Sequence, residues 1–261
     1  MDRDAVLAAF DDQIRRHPES ATGSVVEHGV ATTRVIASPD GWSGVTWSDL
    51  GDTDVDAAIR AEVAAFAAAD RRWEWKLYSY DRPPSLTERL RAHGLVPDEV
   101  ETLMIAPISD MDLHAAPPRE VEVVQVRDEA GVDALVTVHD QAFGGDHSAM
   151  GRSILATISD RPTGEEAFVA YAGATPIAAG RVSFHVGTDF ASLWGGGTIQ
   201  AWRGRGVFRS LVSHRAARAA ARGFRYLQVD ASADSRPILL RLGFVQVAQT
   251  IPYTMSTHLG G

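Results

Sequence analysis

Two stretches of this chain share one order of sequence-predicted elements, and that order limits the folds open to the chain more than any other feature. Residues 42–107 and residues 191–256 each read as strand, loop, long alanine-rich helix, strand, short helix and strand. The two short helices end at Gly94 and at Gly243. Strands followed by capped helices indicate an α/β layered fold. The repeat therefore predicts two related domains, although a chance alternation of strands and helices would give the same order.

A linker is expected between the two stretches, over residues 109–119, because this segment contains two consecutive prolines and several alanines. A chain of 261 residues is long enough for one large domain or two small ones. We therefore expect a first domain over residues 1–112 and a second over residues 113–261. Within the first, residues 25–37 read as one strand.

Composition excludes several classes of protein. A formal net charge of -9 argues against a general DNA- or RNA-binding protein. The absence of cysteine rules out disulfides, thiolate metal sites and a cysteine nucleophile, and it fits a reducing cytoplasm. No apolar run approaches the roughly 20 residues that span a bilayer, and the first residues do not resemble a signal peptide. We expect a cytoplasmic protein without nucleic-acid or membrane partners, for which a homodimer is one open assembly.

Positive charge is concentrated in one segment of this acidic chain. Asp189 and Asp230 enclose a stretch without any acidic residue. Such a segment indicates an anion-binding surface, and the plainer alternative is a solvated basic helix face. The arginines of this stretch are Arg203, Arg205, Arg209, Arg215, Arg218, Arg222 and Arg225.

The strongest chemical signal is a glycine- and arginine-rich turn between a predicted strand and a predicted helix. Two glycines allow a sharp turn that brings backbone N–H groups close to a ligand. The helix that follows adds unpaired N–H groups and the positive end of its dipole, and arginines add charge-assisted hydrogen bonds to phosphate oxygens. The plainer alternative is a strand–helix turn with arginine caps. The predicted pyrophosphate-binding residues are Arg203, Gly204, Arg205, Gly206, Val207, Phe208 and Arg209.

Two common phosphate-binding loops do not fit this turn. A Walker loop requires Gly-Lys followed by Ser or Thr, which the chain lacks. A dinucleotide-binding fingerprint would add a third glycine at position 209, where the chain has Arg209. Asp230 does end the next strand as that fingerprint requires, so a dinucleotide-binding oxidoreductase stays open as an alternative.

On these residues the second half of the chain resembles the GNAT superfamily of acyl-CoA-dependent N-acetyltransferases. The phosphate loop of that superfamily has the form Arg/Gln-x-x-Gly-x-Gly/Ala, which Arg203 and Gly206 match and Phe208 does not. The string Leu-Leu-Arg-Leu-Gly-Phe over residues 239–244 is similar to the short helix that precedes the superfamily's last strand. The resemblance covers residues 120–256. It implies a mixed, mostly antiparallel sheet flanked by helices, and acetyl-CoA as the co-substrate.

Residues 24–107 resemble, more weakly, a second and degenerate copy of the same fold. Where this copy should carry its phosphate loop, the chain has Asp49 and Asp52. Two carboxylates would repel a pyrophosphate group. We therefore expect tandem GNAT-like domains, of which only the second binds CoA.

The resemblance implies where the acyl-CoA arm binds. Two neighbouring strands separate, and the pantetheine arm pairs with backbone in the gap as an added strand would. In this sequence the strand edge before the loop is Thr198 and Ile199. Backbone N–H groups of this strand would polarise the thioester carbonyl, and an amine would attack directly while a base removes its proton.

The acid and base of the resembled enzymes are not matched. Leu239 stands where a tyrosine acid is usual, and the strand over residues 190–198 has no glutamate. Asp230 is the nearest carboxylate candidate, and a strand-end or capping aspartate is its alternative. Ser232 and Tyr253 are the other candidate catalytic residues, with local backbone bonding and a core tyrosine as their alternatives. His185 is a weaker candidate, and His139 and His147 lack a convincing ligand partner, so no metal is expected.

Three consecutive glycines, Gly195-Gly196-Gly197, lie in the strand before the loop. They would either leave room for a bulky acceptor or form a bulge that requires glycine.

From these observations we expect an N-acetyltransferase that transfers an acetyl group from acetyl-CoA to the amine of a small molecule. The alternative that the missing tyrosine and glutamate suggest is a CoA-binding module without catalysis.

Overall fold

Aspartates at helix starts fix where several helices of this chain begin. In the computed structural model, which describes residues 1–19, 23–39, 41–51, 53–160 and 163–255, the carboxylate of Asp2 accepts from the N–H groups of the first helical turn. Asp54 accepts from Ala57 at 3.0 Å, and Asp128 accepts from Gly131 at 2.9 Å. Each carboxylate satisfies an N–H group that the helix itself leaves unpaired.

The first part of the chain is built mainly from short strands. A single π-helical segment, Asp11–Arg16, continues the first helix. The elements up to residue 107 are α1 (Arg3–Phe10), β1 (Val25–His28), β2 (Thr32–Ile36), β3 (Gly44–Ser48), α2 (Val55–Ala68), β4 (Glu74–Tyr78), α3 (Leu86–Ala92), β5 (Leu95–Pro97) and β6 (Glu101–Pro107).

The second part has longer strands and helices. Its elements are β7 (Val121–Gln125), α4 (Glu129–Phe143), α5 (Ser148–Asp160), β8 (Glu165–Ala172), β9 (Thr175–Phe184), β10 (Phe190–Thr198), α6 (Val207–Ala220), β11 (Tyr226–Ala231), α7 (Arg236–Arg241) and β12 (Val245–Met255). Within the described residues, no helix is long and apolar enough to cross a membrane.

The chain divides into two compact units that interleave along the sequence. The first comprises Met1–Met104, Asp230–Arg236 and the described residues from Gln246 onward, and the second comprises Ile105–Val229 and Pro237–Val245. These units are defined by contacts within the fold. The division into inherited copies over residues 1–112 and 113–261 is a different statement and stays a prediction.

The first unit contains strands in the order β1-β2-β3-β4-β12. Only β3 and β4 pair in parallel, through Gly44–Val45 and Glu74–Trp75, and the other neighbours are antiparallel. Apolar side chains of α2, α3 and these strands form one core around the fully buried Trp75. The predicted single strand over residues 25–37 is wrong, because the chain turns back at Gly29, whose N–H donates to Thr32, and forms β1 and β2 as a hairpin.

The second unit contains strands in the order β11-β10-β9-β8-β7. The pair β10–β11 is parallel and the remaining pairs are antiparallel. Helix α4 and helix α5 pack apolar side chains such as Leu135 and Ile154 against β8 and β9, and α6 packs against β9 and β10. In each unit a mixed, mostly antiparallel sheet is flanked by helices, which confirms the predicted fold class.

The repeated order of elements is also confirmed. In both units a strand is followed by a 14-residue helix and then by a strand parallel to the first: β3, α2 and β4 in one, β10, α6 and β11 in the other. A short helix follows each second strand, α3 in the first case and α7 in the second.

Candidate functional site

The turn between β10 and α6 is a left-handed glycine turn, as the sequence predicts. Gly204 has φ +75° and Gly206 has φ +85°. Gly206 is the N-terminal capping residue of α6 and offers no side chain to cap the helix. A residue with a Cβ is strained in this backbone conformation, so glycine is the natural choice at both positions.

The start of α6 leaves several N–H groups without a helical acceptor. The first backbone hydrogen bond of the helix runs from the N–H of Ser210 to the carbonyl of Gly206, at 3.0 Å. The N–H groups of Val207, Phe208 and Arg209 therefore have no partner within the helix. With the dipole of a 14-residue helix behind them, these groups form an anion-binding site.

The three arginines of the loop have different contacts. Arg203 donates through Nε to the carbonyl of Thr198 at 3.1 Å and through its other nitrogen to the carbonyl of Ala142 at 3.2 Å. The guanidinium of Arg205 lies 4.7 Å from the ring centroid of Trp202, and Arg209 is exposed at the start of α6. Arg203 thus fixes the loop to the body of the unit, whereas Arg205 and Arg209 are exposed to an incoming anion.

Val207 and Phe208 contribute backbone rather than polar side chains. Val207 is buried in the core of the unit. The ring of Phe208 packs on Gly196, with its Cε2 3.1 Å from where a Cβ of that glycine would lie. Both side chains therefore anchor the first turn of α6 to β10.

Strands β10 and β11 separate just before the loop. Their parallel pairing covers Phe190–Ser192 and Tyr226–Gln228, and no further pair is formed along β10. The N–H of Ile199 donates to Ile177 of β9 at 2.9 Å. Because successive strand residues point their backbone groups to opposite sides, the N–H and C=O of Thr198 face the open side. This is the edge that the sequence predicts for the acyl-CoA arm.

The three glycines of β10 form a bulge. The register of β10 with β9 shifts between Trp194 and Gly197, and Gly195 has φ +54°. Side chains of α4 occupy the adjacent space: a Cβ on Gly195 would lie 2.6 Å from His139, and one on Gly197 would lie 2.8 Å from Phe143. The glycines are therefore required by the bulge and by these close contacts, which is the second of the two predicted explanations.

A fully buried arginine lies beneath the bulge. Arg215 of α6 donates to the carbonyls of Leu211 at 3.1 Å and Arg181 at 3.0 Å. Burial, with the charge of Arg181 adding to it, lowers the pKa of Arg215 to about 9. Gly180 and Gly196 leave the space that its guanidinium occupies.

Comparison with solved structures gives the fold a name. The chain is similar to a GCN5-related N-acetyltransferase from Kribbella flavida, with a TM-score of 0.68 and 18% identity over 99% of this chain and 95% of that one. It is also similar to a tandem GNAT protein from the clavulanic acid biosynthesis pathway (TM-score 0.61, 14% identity, 97% and 95% covered). A third is a GCN5-related N-acetyltransferase from Sphaerobacter thermophilus (TM-score 0.59, 12% identity, 96% and 90% covered). The chain has the GNAT fold. No protein-family model matches it, and neither does any curated protein.

Asp230, the candidate base suggested by the GNAT resemblance, lies in the first unit as one half of a buried ion pair. Its Oδ2 lies 2.5 Å from Nζ of Lys76, and its side chain is 6% exposed. Its other carboxylate oxygen is buried and has no hydrogen-bond partner among the described residues. Asp230 therefore has one oxygen available for a proton.

Further carboxylates of the first unit surround Lys76. Glu101 lies 3.8 Å from its Nζ, and Glu74 interacts with the same charge. Burial alone would lower the pKa of Lys76, but the charges of Asp230 and Glu101 outweigh it, so the pKa is raised and the ammonium stays charged. Burial also raises the pKa of Glu101 to about 6 against the opposing effect of Lys76.

Ser232 and Tyr253 are placed less favourably for catalysis in this GNAT fold. The hydroxyl of Ser232 accepts from the N–H of Ser235 at 3.3 Å, which is local bonding at the start of α7. Tyr253 is 0% exposed and lies in the core of the first unit opposite Trp75 on β4. Both placements favour the plainer alternatives given for these residues. His185 bonds to the hydroxyl of Ser192 at 2.6 Å.

Two residues at these sites escape the sequence reasoning. Lys76 is the only lysine of the chain, which composition alone suggests is a matter of codon usage, yet it neutralises a buried carboxylate. His139 is buried against the bulge of β10. Its position one residue after the apolar Val138 on α4 was the available sign that it faces the sheet.

Proposed function

We propose that this chain is an acetyl-CoA-dependent N-acetyltransferase that acts on the amine of a small molecule. The observation that carries the proposal is the left-handed glycine turn at the start of α6, with free N–H groups and two exposed arginines. The open edge of β10 at Thr198 supports it, because the pantetheine arm of CoA carries amide groups that pair with a strand edge.

The chemistry would proceed by direct attack of the amine on the thioester. Backbone N–H groups of β10 would hold the carbonyl oxygen as charge develops on it. Asp230 stays the proposed base, supported by its ion pair with Lys76, which favours the ionised form, and by its unpaired oxygen. Ser232 and Tyr253 remain weaker proposals for the reasons of placement given above.

The tandem arrangement is part of the same proposal: residues 1–112 are a degenerate copy that binds no CoA. In the first unit the parallel pairing of β3 and β4 ends at Val45 and Trp75. The guanidinium of Arg15 then donates to the carbonyl of Thr46 at 3.1 Å and lies over the ring of Tyr78. This arginine is paired with Asp81 at 2.8 Å. The backbone edge that an acyl-CoA arm would need in this unit is thus already bonded.

Substitution of Gly206 tests the proposed site by isothermal titration with acetyl-CoA. We expect Gly206→Asp to weaken binding at least 100-fold, because its carboxylate would face the pyrophosphate. Asparagine tolerates the left-handed conformation about as well as aspartate, so Gly206→Asn is the matched control and should lose no more than about tenfold.

The first unit provides the second arm of that experiment. Asp49→Ala should leave the affinity for acetyl-CoA unchanged, because Asp49 lies in the unit that binds no CoA. Asp52, the other aspartate of that segment, lies outside the described residues. Equal losses in Gly206→Asp and Asp49→Ala, or no binding by the wild-type protein, would refute the proposal.

One observation favours a second candidate function, a CoA-binding module without catalysis. Leu239, where the resembled enzymes usually have a tyrosine acid, is buried and cannot donate a proton. Release of free thiol from acetyl-CoA in the presence of an amine panel would select the enzyme. Tight acetyl-CoA binding without release across the panel would select the binding module.

A further inference from the structure

His139 of α4 holds one peptide group of the β10 bulge out of the sheet. Its Nε2 lies 2.8 Å from the carbonyl oxygen of Gly195. A carbonyl can only accept, so Nε2 carries the hydrogen in this bond. The side chain is buried, with the residue 2% exposed, and burial lowers the pKa of His139 to about 4, so the ring is neutral near pH 7.

The backbone at Gly195 is shaped around this histidine. Gly195 has φ +54°, and a Cβ there would lie 2.6 Å from Cε1 of His139. Because the peptide bond is planar and trans, turning the carbonyl of Gly195 toward α4 turns the N–H of Gly196 away from α4. On that opposite side, Phe208 and Arg215 pack against Gly196.

The bulge decides which backbone groups β10 offers at its open edge. An extra residue between Trp194 and Gly197 shifts the alternation of the strand by one position. As a result the N–H and C=O of Thr198 face away from β9, and Arg203 donates to that carbonyl. In a regular strand without the bulge, Thr198 would turn these groups toward β9.

We infer that His139 is a positioning residue for the acyl-CoA arm: by holding the carbonyl of Gly195 it keeps the bulge, and the bulge presents Thr198 to the arm. This inference rests on the proposed function, since it names a residue that orients the proposed acyl-CoA edge. His139 itself touches no part of the arm. Its effect is confined to the arm, because the phosphate-binding turn at Gly204 and Gly206 has its own glycine geometry.

Two ligands separate the arm from the phosphates. Acetyl-CoA occupies both the turn and the strand edge, whereas 3′-phospho-ADP, the nucleotide part of CoA, occupies the turn alone. We expect His139→Leu, which removes the donor at similar size, to weaken acetyl-CoA binding about tenfold or more, the loss of one or two hydrogen bonds. Binding of 3′-phospho-ADP should stay within about twofold of the wild-type value, which also shows that the unit is folded.

A conservative variant and a second route to the same defect complete the design. In His139→Gln the amide nitrogen reaches about the position of Nε2 and can donate to Gly195, so acetyl-CoA affinity should stay within about threefold of wild type. Gly195→Ala should reproduce the leucine defect, because its Cβ displaces His139. His147→Leu is the control, since His147 bonds to Asp140 and not to β10.

The outcomes are distinguishable. Loss of both ligands to the same degree in His139→Leu, unchanged acetyl-CoA binding in that variant, or a glutamine variant as weak as the leucine variant would overturn the inference. A wild-type protein that binds neither ligand would overturn the proposed function itself.

Discussion

At the scale of single residues, the pairing of Lys76 with Asp230 has energetic consequences within the first unit. Both side chains are largely buried, and their charged atoms lie 2.5 Å apart. Removing one partner leaves the other charge buried without compensation, which commonly costs about 3–5 kcal/mol. Removing both avoids that penalty.

We therefore expect Lys76→Met to lower the free energy of unfolding in urea by about 3 kcal/mol. The double variant Lys76→Met with Asp230→Asn should lose clearly less than the sum of the two single variants. Additive losses in this double-mutant cycle would show that the two groups do not stabilise each other.

Residue-level prediction from the sequence succeeds where a single turn determines the geometry. The positive φ angles of Gly204 and Gly206 follow from their place between strand and helix, and they are observed. The contacts of Lys76 and His139 depend instead on partners that lie 154 and 56 positions away in sequence. No local pattern specifies such pairs, so only the fold reveals them.

At the scale of elements, helix α4 matters because it carries His139 to the bulge of β10. Its start is fixed by Asp128, whose Oδ1 accepts from the N–H of Gly131 at 2.9 Å. We expect Asp128→Ala to lower the free energy of unfolding by about 1 kcal/mol, a usual value for a lost N-cap. Asparagine also caps helices well, so Asp128→Asn should retain most of the stability, and equal losses in both variants in urea unfolding would contradict this account of the cap.

Elements were predictable where capping residues and apolar spacing agree. Helix α2 begins after Asp54, inside the predicted capping cluster, whereas the segment over residues 25–37 was read as one strand. A hairpin whose turn contains Gly29 and no Asn-Gly or Asp-Gly pair gives a weak local signal. The bulge of β10 was one of two alternatives until the side chains of α4 were placed against it.

At the scale of the whole molecule, two units share an order of elements but differ at the edge where an acyl-CoA arm would bind. In the second unit the edge of β10 at Thr198 follows a bulge and leads into the glycine turn. In the first unit the carbonyl of Thr46 is bonded by Arg15, and an aspartate, Asp49, follows β3. The account therefore assigns one acetyl-CoA to each chain.

The binding stoichiometry of acetyl-CoA, measured by isothermal titration on the whole chain and on Gly206→Asp, tests this central claim most directly. We expect one molecule per chain for the wild-type protein and none for the variant, with the variant still folded by circular dichroism. Two molecules per wild-type chain, or one molecule retained by Gly206→Asp, would contradict the claim that the turn before α6 is the acetyl-CoA site of this protein.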